Sequence, residues 1–161
     1  MDRRDALKAA AALPVVLPAQ TTEWKPQLFD AHQNQTVIAL TELIIPQTDT
    51  PGAKAANVNR YLDLLLNDGP ERQRVDFLEG LGWLDNYARS QHGATFVKLT
   101  PAQQASILTD LDAGKPGLEP GTRFFRQAKG WTSRIYYNTA IGYAELNKGG
   151  RVPSTFACLT K

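Results

Sequence analysis

The chain has 161 residues with 18 basic and 16 acidic side chains, a formal net charge of +2, two histidines and one cysteine. A chain of this length fits one domain that buries about two-thirds of its unfolded surface, so no disulfide framework is needed to hold it together. The near balance of charge leaves no electrostatic footprint for nucleic acid or an anionic membrane, and no segment after residue 20 approaches the ~18 continuous apolar residues of a membrane span.

Residues 1–20 read as an export signal. Arg3 and Arg4 precede Leu7 and Lys8, and an uncharged stretch of Ala, Val, Leu and Pro runs from Ala9 to Ala19. This is a charged n-region followed by an h-region of secretory length, and the paired arginines point to the twin-arginine route, which implies a periplasmic destination. Asp2 and Ala6 depart from that pattern, which usually has Ser or Thr and a large apolar residue there. An amphipathic N-terminal helix is the alternative, but Pro14 and Pro18 interrupt it. A cut after Ala19 puts Leu17 where a small side chain is usual, so cleaved and uncleaved forms both stay open. Loss of the segment removes Arg3, Arg4 and Lys8 against Asp2 and Asp5 and leaves the remainder near +1.

Residues 21–29, with Trp24 and Pro26, read as a linker or an arm packed on the surface. A helical domain is expected over 30–146. Val37, Leu40, Thr41, Ile44 and Ile45 recur at helical spacing until Pro46 stops the pattern. Pro46–Gly52, reading P-Q-T-D-T-P-G, is a structural loop by its turn chemistry, with Pro46, Asp49, Pro51 and Gly52 as its key residues. Asn57–Asn67 forms a second helix with Val58, Tyr61, Leu62, Leu65 and Leu66 on one apolar stripe, broken by Asp68, Gly69 and Pro70.

A long helix follows over Glu71–Gln91, with Val75, Phe77, Leu78, Leu81, Leu84, Tyr87 and Ala88 as buried candidates. Gly80 and Gly82 inside it each cost about 1 kcal/mol relative to Ala. Either the backbone comes close to a neighbouring helix there, or the element is two shorter helices. Thr100, Pro101 and Gln103 supply a capping hydroxyl, a first-turn proline and a capping-box partner ahead of Ile107, Leu108 and Leu111. Gly114–Gly121 reads as a loop. Phe124, Phe125, Ala128 and Trp131 then lead into Ile135, Tyr136, Tyr137 and Ala140, a further helical region. From Asn147 the periodicity stops, and residues 147–161 form an expected extended tail carrying Cys158. No run alternates as a strand would, so the expected fold is all-α, a single domain of five or six helices with a C-terminal tail.

Candidate chemistry is sparse. His32 and His92 have no partner at metal-ligand spacing and read as surface or capping groups. No nucleophile elbow, phosphate loop or dinucleotide fingerprint occurs. Asp110 and Asp112 point to different faces of a helix, and Asp49 reads as an Asx-turn or capping residue. Phe124, Phe125, Trp131, Tyr136, Tyr137 and Tyr143 crowd one region. Core packing is the plain explanation, yet the adjacent pairs Phe124–Phe125 and Tyr136–Tyr137 cannot both face one core from one helix. At least one of each pair is expected to face outward or into a partner. Cys158, an odd cysteine in an exported chain, is expected to be a free thiol or to bond another chain.

L-I-I-P-Q-T-D-T-P-G-A from Leu43, V-N-R-Y-L-D from Val58, F-F-R-Q-A-K-G-W-T from Phe124, Y-Y-N-T-A-I-G from Tyr136 and V-P-S-T-F-A-C ending at Cys158 occur in one order. Together they resemble the gluconate 2-dehydrogenase subunit 3 family, the small (gamma) subunit of membrane-linked sugar and sugar-acid dehydrogenases. The resemblance covers nearly the whole chain. It implies a non-catalytic partner of a large subunit that carries FAD, beside a multihaem cytochrome c subunit that carries haem c and takes the electrons. It further implies that the small subunit escorts the flavin subunit out of the cytoplasm as folded cargo, the complex then being attached to the inner membrane. On that reading the interface candidates are Phe124, Phe125, Trp131, Tyr136, Tyr137, Tyr143 and Phe156, and Cys158 is the candidate for an inter-subunit disulfide. This chain itself is expected to carry no catalytic, cofactor or metal residue. The alternative is a stand-alone periplasmic helical binding or chaperone-like protein using the same surface.

Overall fold

The computed structural model describes residues 24–148. They form six α-helices and one short 3-10 turn, with no strand among the described residues: α1 (Ala31–Ile44), α2 (Val58–Asp68), α3 (Glu71–His92), the 3-10 turn (Phe96–Lys98), α4 (Pro101–Asp112), α5 (Glu119–Tyr137) and α6 (Ala140–Leu146). The all-α expectation is met. The signal segment 1–20 with Arg3 and Arg4, and Phe156 and Cys158 of the tail, lie outside the described residues.

Local chemistry sets most helix ends. Asp30 accepts from the Gln33 N–H at 2.7 Å while the Gln33 side chain accepts from the Asp30 N–H at 3.0 Å, a reciprocal capping box that starts α1. Thr100 and Gln103 do the same for α4, with Pro101 in its first turn. Gly93 ends α3 at φ 76, where a residue without a Cβ carries no steric penalty. The sequence pattern keeps Gly114–Gly121 as loop and merges Ala140 into the preceding helix; instead α5 begins at Glu119 and stops at Tyr137, and the Thr139 side chain caps a separate α6 by accepting from the Gly142 N–H. Pro120 is tolerated because the first turn needs no donor at its position.

Helix α5 is the axis of the domain and touches each of the other five α-helices. Its crossing with α3 is set by two glycines, one on each helix. A Cβ on Gly80 of α3 would lie 2.1 Å from the Phe124 ring of α5, and a Cβ on Gly121 of α5 would lie 2.0 Å from the Trp83 ring of α3. Each helix thus receives the other's aromatic ring against its bare backbone. Of the two readings of Gly80 and Gly82, the close approach holds at Gly80, and α3 is one continuous 22-residue helix. Gly82 has nothing within 4 Å of its missing side chain.

Phe29, Phe77 and Phe124 carry the core from the N-terminal arm through α3 to α5, with ring centroids 6.0 and 5.3 Å apart. Val37 and Leu40 of α1, Val58, Leu62 and Leu66 of α2, and Ile107 and Leu111 of α4 close around them. Three expected core residues are on the surface instead: Tyr61, Leu65 and Val75. The α2 stripe is wider than the face that α1 and α5 cover. Val75, two residues before the fully buried Phe77, lies on the opposite face of α3.

Candidate functional site

The buried acids serve the fold. Asp63 of α2, fully buried, accepts from the backbone N–H groups of Gln27, Leu28 and Phe29 at 2.8, 3.1 and 2.9 Å. A single carboxylate therefore fixes the arm, which Arg60 also holds by lying 5.1 Å over the Trp24 ring. Asp85 of α3 accepts from the Phe96 N–H at 2.9 Å and bonds His32 Nε2, tying α1 and the 3-10 turn to α3. His32, expected at the surface, is half-buried by this pairing, whereas His92 stays exposed beside Gln103. Asp110 pairs with Lys115 and Asp112 with Lys129, on different sides of α4. Among the described residues no group of three or more His, Cys, Asp or Glu converges as a metal site requires, and no helix is long and apolar enough to cross a membrane. A cleft of about 430 Å³ lies over the α3–α5 crossing and is lined by Arg72, Asp76, Glu79, Trp83, Arg123 and Gln127 among others.

The aromatic residues expected at an interface divide sharply. Phe124 and Phe125 are both buried, against the expectation that one of them faces outward. Adjacent residues on α5 do point in different directions, but its covered arc is wide enough for both, the exposed line of the helix running through Arg123, Arg126, Gly130 and Arg134. Phe124 meets Phe77 and Gly80 on α3, while Phe125 lies beside Leu43 of α1 and Leu108 of α4, with the Lys129 ammonium 5.4 Å from its ring. The second pair behaves as expected. Tyr136 is buried and Tyr137 is 40 % exposed, their rings edge to face at 5.2 Å. Trp131 and Tyr143 are half-buried, and the Arg134 guanidinium lies 5.5 Å over the Trp131 ring. Phe124, Phe125 and Tyr136 are thus core residues of this chain; of the expected interface aromatics among the described residues, the accessible ones are Tyr137 and the outer parts of Trp131 and Tyr143. Beside them a shallow apolar groove of about 270 Å³ is lined by Tyr61 and Leu65 of α2 together with Arg134, Ile135, Asn138 and Thr139.

The loop between α1 and α2 is held from several sides. Glu42 accepts from the Gln47 and Lys54 N–H groups, both at 2.8 Å. The Ala53 N–H donates to the Ile45 carbonyl at 2.9 Å, and the Tyr136 hydroxyl reaches out of the core to donate to the Pro51 carbonyl at 2.7 Å. Gly52 is required because a Cβ there would lie 2.5 Å from the Gln47 nitrogen and from a Glu42 carboxylate oxygen. Asp49 sits fully exposed at the tip and accepts from the Thr48 hydroxyl at 2.9 Å. That bond, its own backbone N–H and the nearby Lys148 hold its carboxyl below the usual carboxylate range. Burial pushes the Tyr136 hydroxyl above its ordinary range. Glu42 is the residue that the sequence reading missed: nothing in its spacing tells an acid that braces a loop from one that faces water.

The family model described as Gluconate 2-dehydrogenase subunit 3 matches residues 31–150. The match takes in all six α-helices and the braced loop. No curated protein and no solved structure matches the chain.

Proposed function

From the premise that the chain belongs to the gluconate 2-dehydrogenase subunit 3 family, we propose that it is the non-catalytic small subunit that binds, stabilises and co-exports the FAD-containing catalytic subunit of a periplasmic sugar or sugar-acid dehydrogenase. The observation that carries this reading is the family match across the entire helical body. Two features of that body support it. Its buried carboxylates are engaged by backbone donors of the fold itself, and apolar side chains remain exposed on α2 and at the α5–α6 corner.

In this reading FAD resides in the catalytic subunit and haem c in a cytochrome subunit that passes electrons onward, the complex being attached to the inner membrane. The flavin subunit folds around its cofactor in the cytoplasm, so only a route that accepts folded cargo can move it. Arg3 and Arg4 supply that address for both proteins. Cys158 forms a disulfide with a thiol of the catalytic subunit, oxidised by the machinery of the compartment; the two subunits then migrate together on non-reducing gels and separately with reductant.

The deciding experiment co-expresses the chain with a flavoprotein dehydrogenase that lacks its own signal. Arg3→Lys with Arg4→Lys is expected to retain dehydrogenase activity in the cytoplasm. The catalytic subunit is expected to be soluble only with the small subunit present. Normal periplasmic activity in the double variant refutes the escort role.

A further inference from the structure

We propose that the loop Pro46–Gly52, together with Tyr137 and Leu146, is the surface on which the catalytic subunit docks, and that Asp49 is its charged anchor, meeting a cationic side chain of that subunit. The inference rests on the reading of this chain as a dehydrogenase small subunit and assigns the place where that subunit binds.

A link between two helices needs only to span the gap. This one is fixed by the Glu42 carboxylate at two backbone N–H groups, by the Ala53–Ile45 backbone bond and by a tyrosine hydroxyl from the core, yet Pro46, Gln47, Thr48 and Asp49 remain exposed. A surface already held in one shape loses little conformational freedom when a partner binds, which favours affinity. The brace also decides which groups are left to offer. Gln47 N–H goes to Glu42 and Thr48 N–H to the Thr50 carbonyl at 3.0 Å, so the tip presents the Asp49 carboxylate. Lys148, the cation nearest to it in charge coupling, is itself bonded to Glu145 at 2.7 Å. An outward carboxylate held in one place selects a cation opposite it.

Apolar contact area sits on the same packed unit. Tyr136, which holds Pro51, has its ring against Tyr137, and Gly142 lets α6 lie directly on the Tyr136–Tyr137 backbone, since a Cβ there would be 2.0 Å from the Tyr136 carbonyl oxygen. Tyr137 and Leu146 emerge from this unit 40 % and 53 % exposed. Lys148, two residues past Leu146, is near enough to Asp49 to act on its carboxyl, so the end of α6 and the loop tip are neighbours. An aromatic and an aliphatic side chain tied to one oriented charge is the composition of a protein-binding hot spot. The Tyr61–Leu65 groove also has a charge at its side, the Arg134 guanidinium over the Trp131 ring, but none of its lining residues is in the braced loop.

The test measures the affinity of the purified catalytic subunit, with its flavin, for the full small subunit at about 50 and 300 mM NaCl. Asp49→Lys is expected to weaken binding about tenfold or more at low salt and to reverse its salt dependence, the like-charge pair being screened at high salt. Tyr136→Phe, which keeps the ring and removes one of the loop's braces, is expected to weaken it about threefold to tenfold. Circular dichroism of each variant separates docking from unfolding. Wild-type affinity within twofold for both variants overturns the inference, as does loss of binding confined to Tyr61→Ser or Leu65→Ser, which moves the interface to the α2 groove. A wild-type chain that binds no flavin subunit overturns the inference and the proposed function together.

Discussion

Replacing Gly80 and Gly82 in turn by alanine isolates the α3–α5 contact. The residues are two apart in one helix, and each substitution adds the same methyl group and the same gain in helix propensity, about 1 kcal/mol. Their surroundings differ completely. At Gly82 the new Cβ enters open space, so the propensity gain stands alone and Gly82→Ala is expected to stabilise by about 1 kcal/mol. At Gly80 the Cβ would lie 2.1, 2.5 and 2.9 Å from Cδ2, Cγ and Cβ of Phe124. Because the clash reaches the root of that side chain, and its ring is packed on Phe77 at 5.3 Å, a rotamer change cannot relieve it. The helices must separate. Overpacking of this kind costs about 1–3 kcal/mol, occasionally more, which offsets or outweighs the propensity gain and leaves Gly80→Ala about 0–2 kcal/mol less stable. The two variants should then differ by roughly 1–3 kcal/mol. With a urea m-value of about 2 kcal/mol/M, their midpoints separate by about 0.5–1.5 M. Pulse proteolysis in urea reads this from a gel band and needs only dilute chain. Equal shifts in the same direction would refute the argument, because they would mean that Phe124 does not occupy the space above Gly80.

Gly121→Ala should destabilise in the same way through Trp83, and Gly80→Ala combined with Phe124→Leu should recover part of the loss, as the midpoint of the double variant reports. Asp63→Ala leaves three arm N–H groups without their acceptor and is expected to cost about 3 kcal/mol or more; limited chymotrypsin digestion should then cut after Trp24 or Leu28 well before the helical body. Tyr136→Phe removes one buried hydrogen bond, worth about 1 kcal/mol. Because burial raises the Tyr136 pKa, the folded state holds this proton more tightly than the unfolded chain, so its contribution is present below pH 10 and is lost as pH rises through the folded value. Thermal melts between pH 9 and 11 should show that loss in the wild type and a smaller one in Tyr136→Phe.

Helices and their ends were largely legible in the sequence because their determinants are local. Thr100, Pro101 and Gln103 act within one turn, and the Pro46–Gly52 turn residues announce a loop. What the sequence leaves open depends on what stands opposite. Gly80 and Gly82 look alike in the chain, and only the position of Phe124 separates them. Phe124 and Phe125 read as one inward and one outward residue, which assumes a narrow covered face; the covered arc of α5 takes in both, and its exposed line runs through Arg123, Arg126 and Gly130. Tyr61 and Leu65 share an apolar stripe with Leu62 and Leu66, but α1 and α5 cover only part of it. Glu42, Asp63 and Asp85 are indistinguishable from surface acids until Lys54, the arm and His32 are brought to them from distant parts of the chain.

The Asp63 clamp has a mechanical consequence. Its three hydrogen bonds at Gln27, Leu28 and Phe29 lie between the N-terminal residues and the start of α1. A pull on the chain ahead of Trp24 is therefore transmitted first to α2 through this carboxylate and loads the three bonds together. Helix α1 does not unwind from its capped end until the clamp has failed. The arm works as a strain relief between whatever draws on the N-terminus and the folded body behind it.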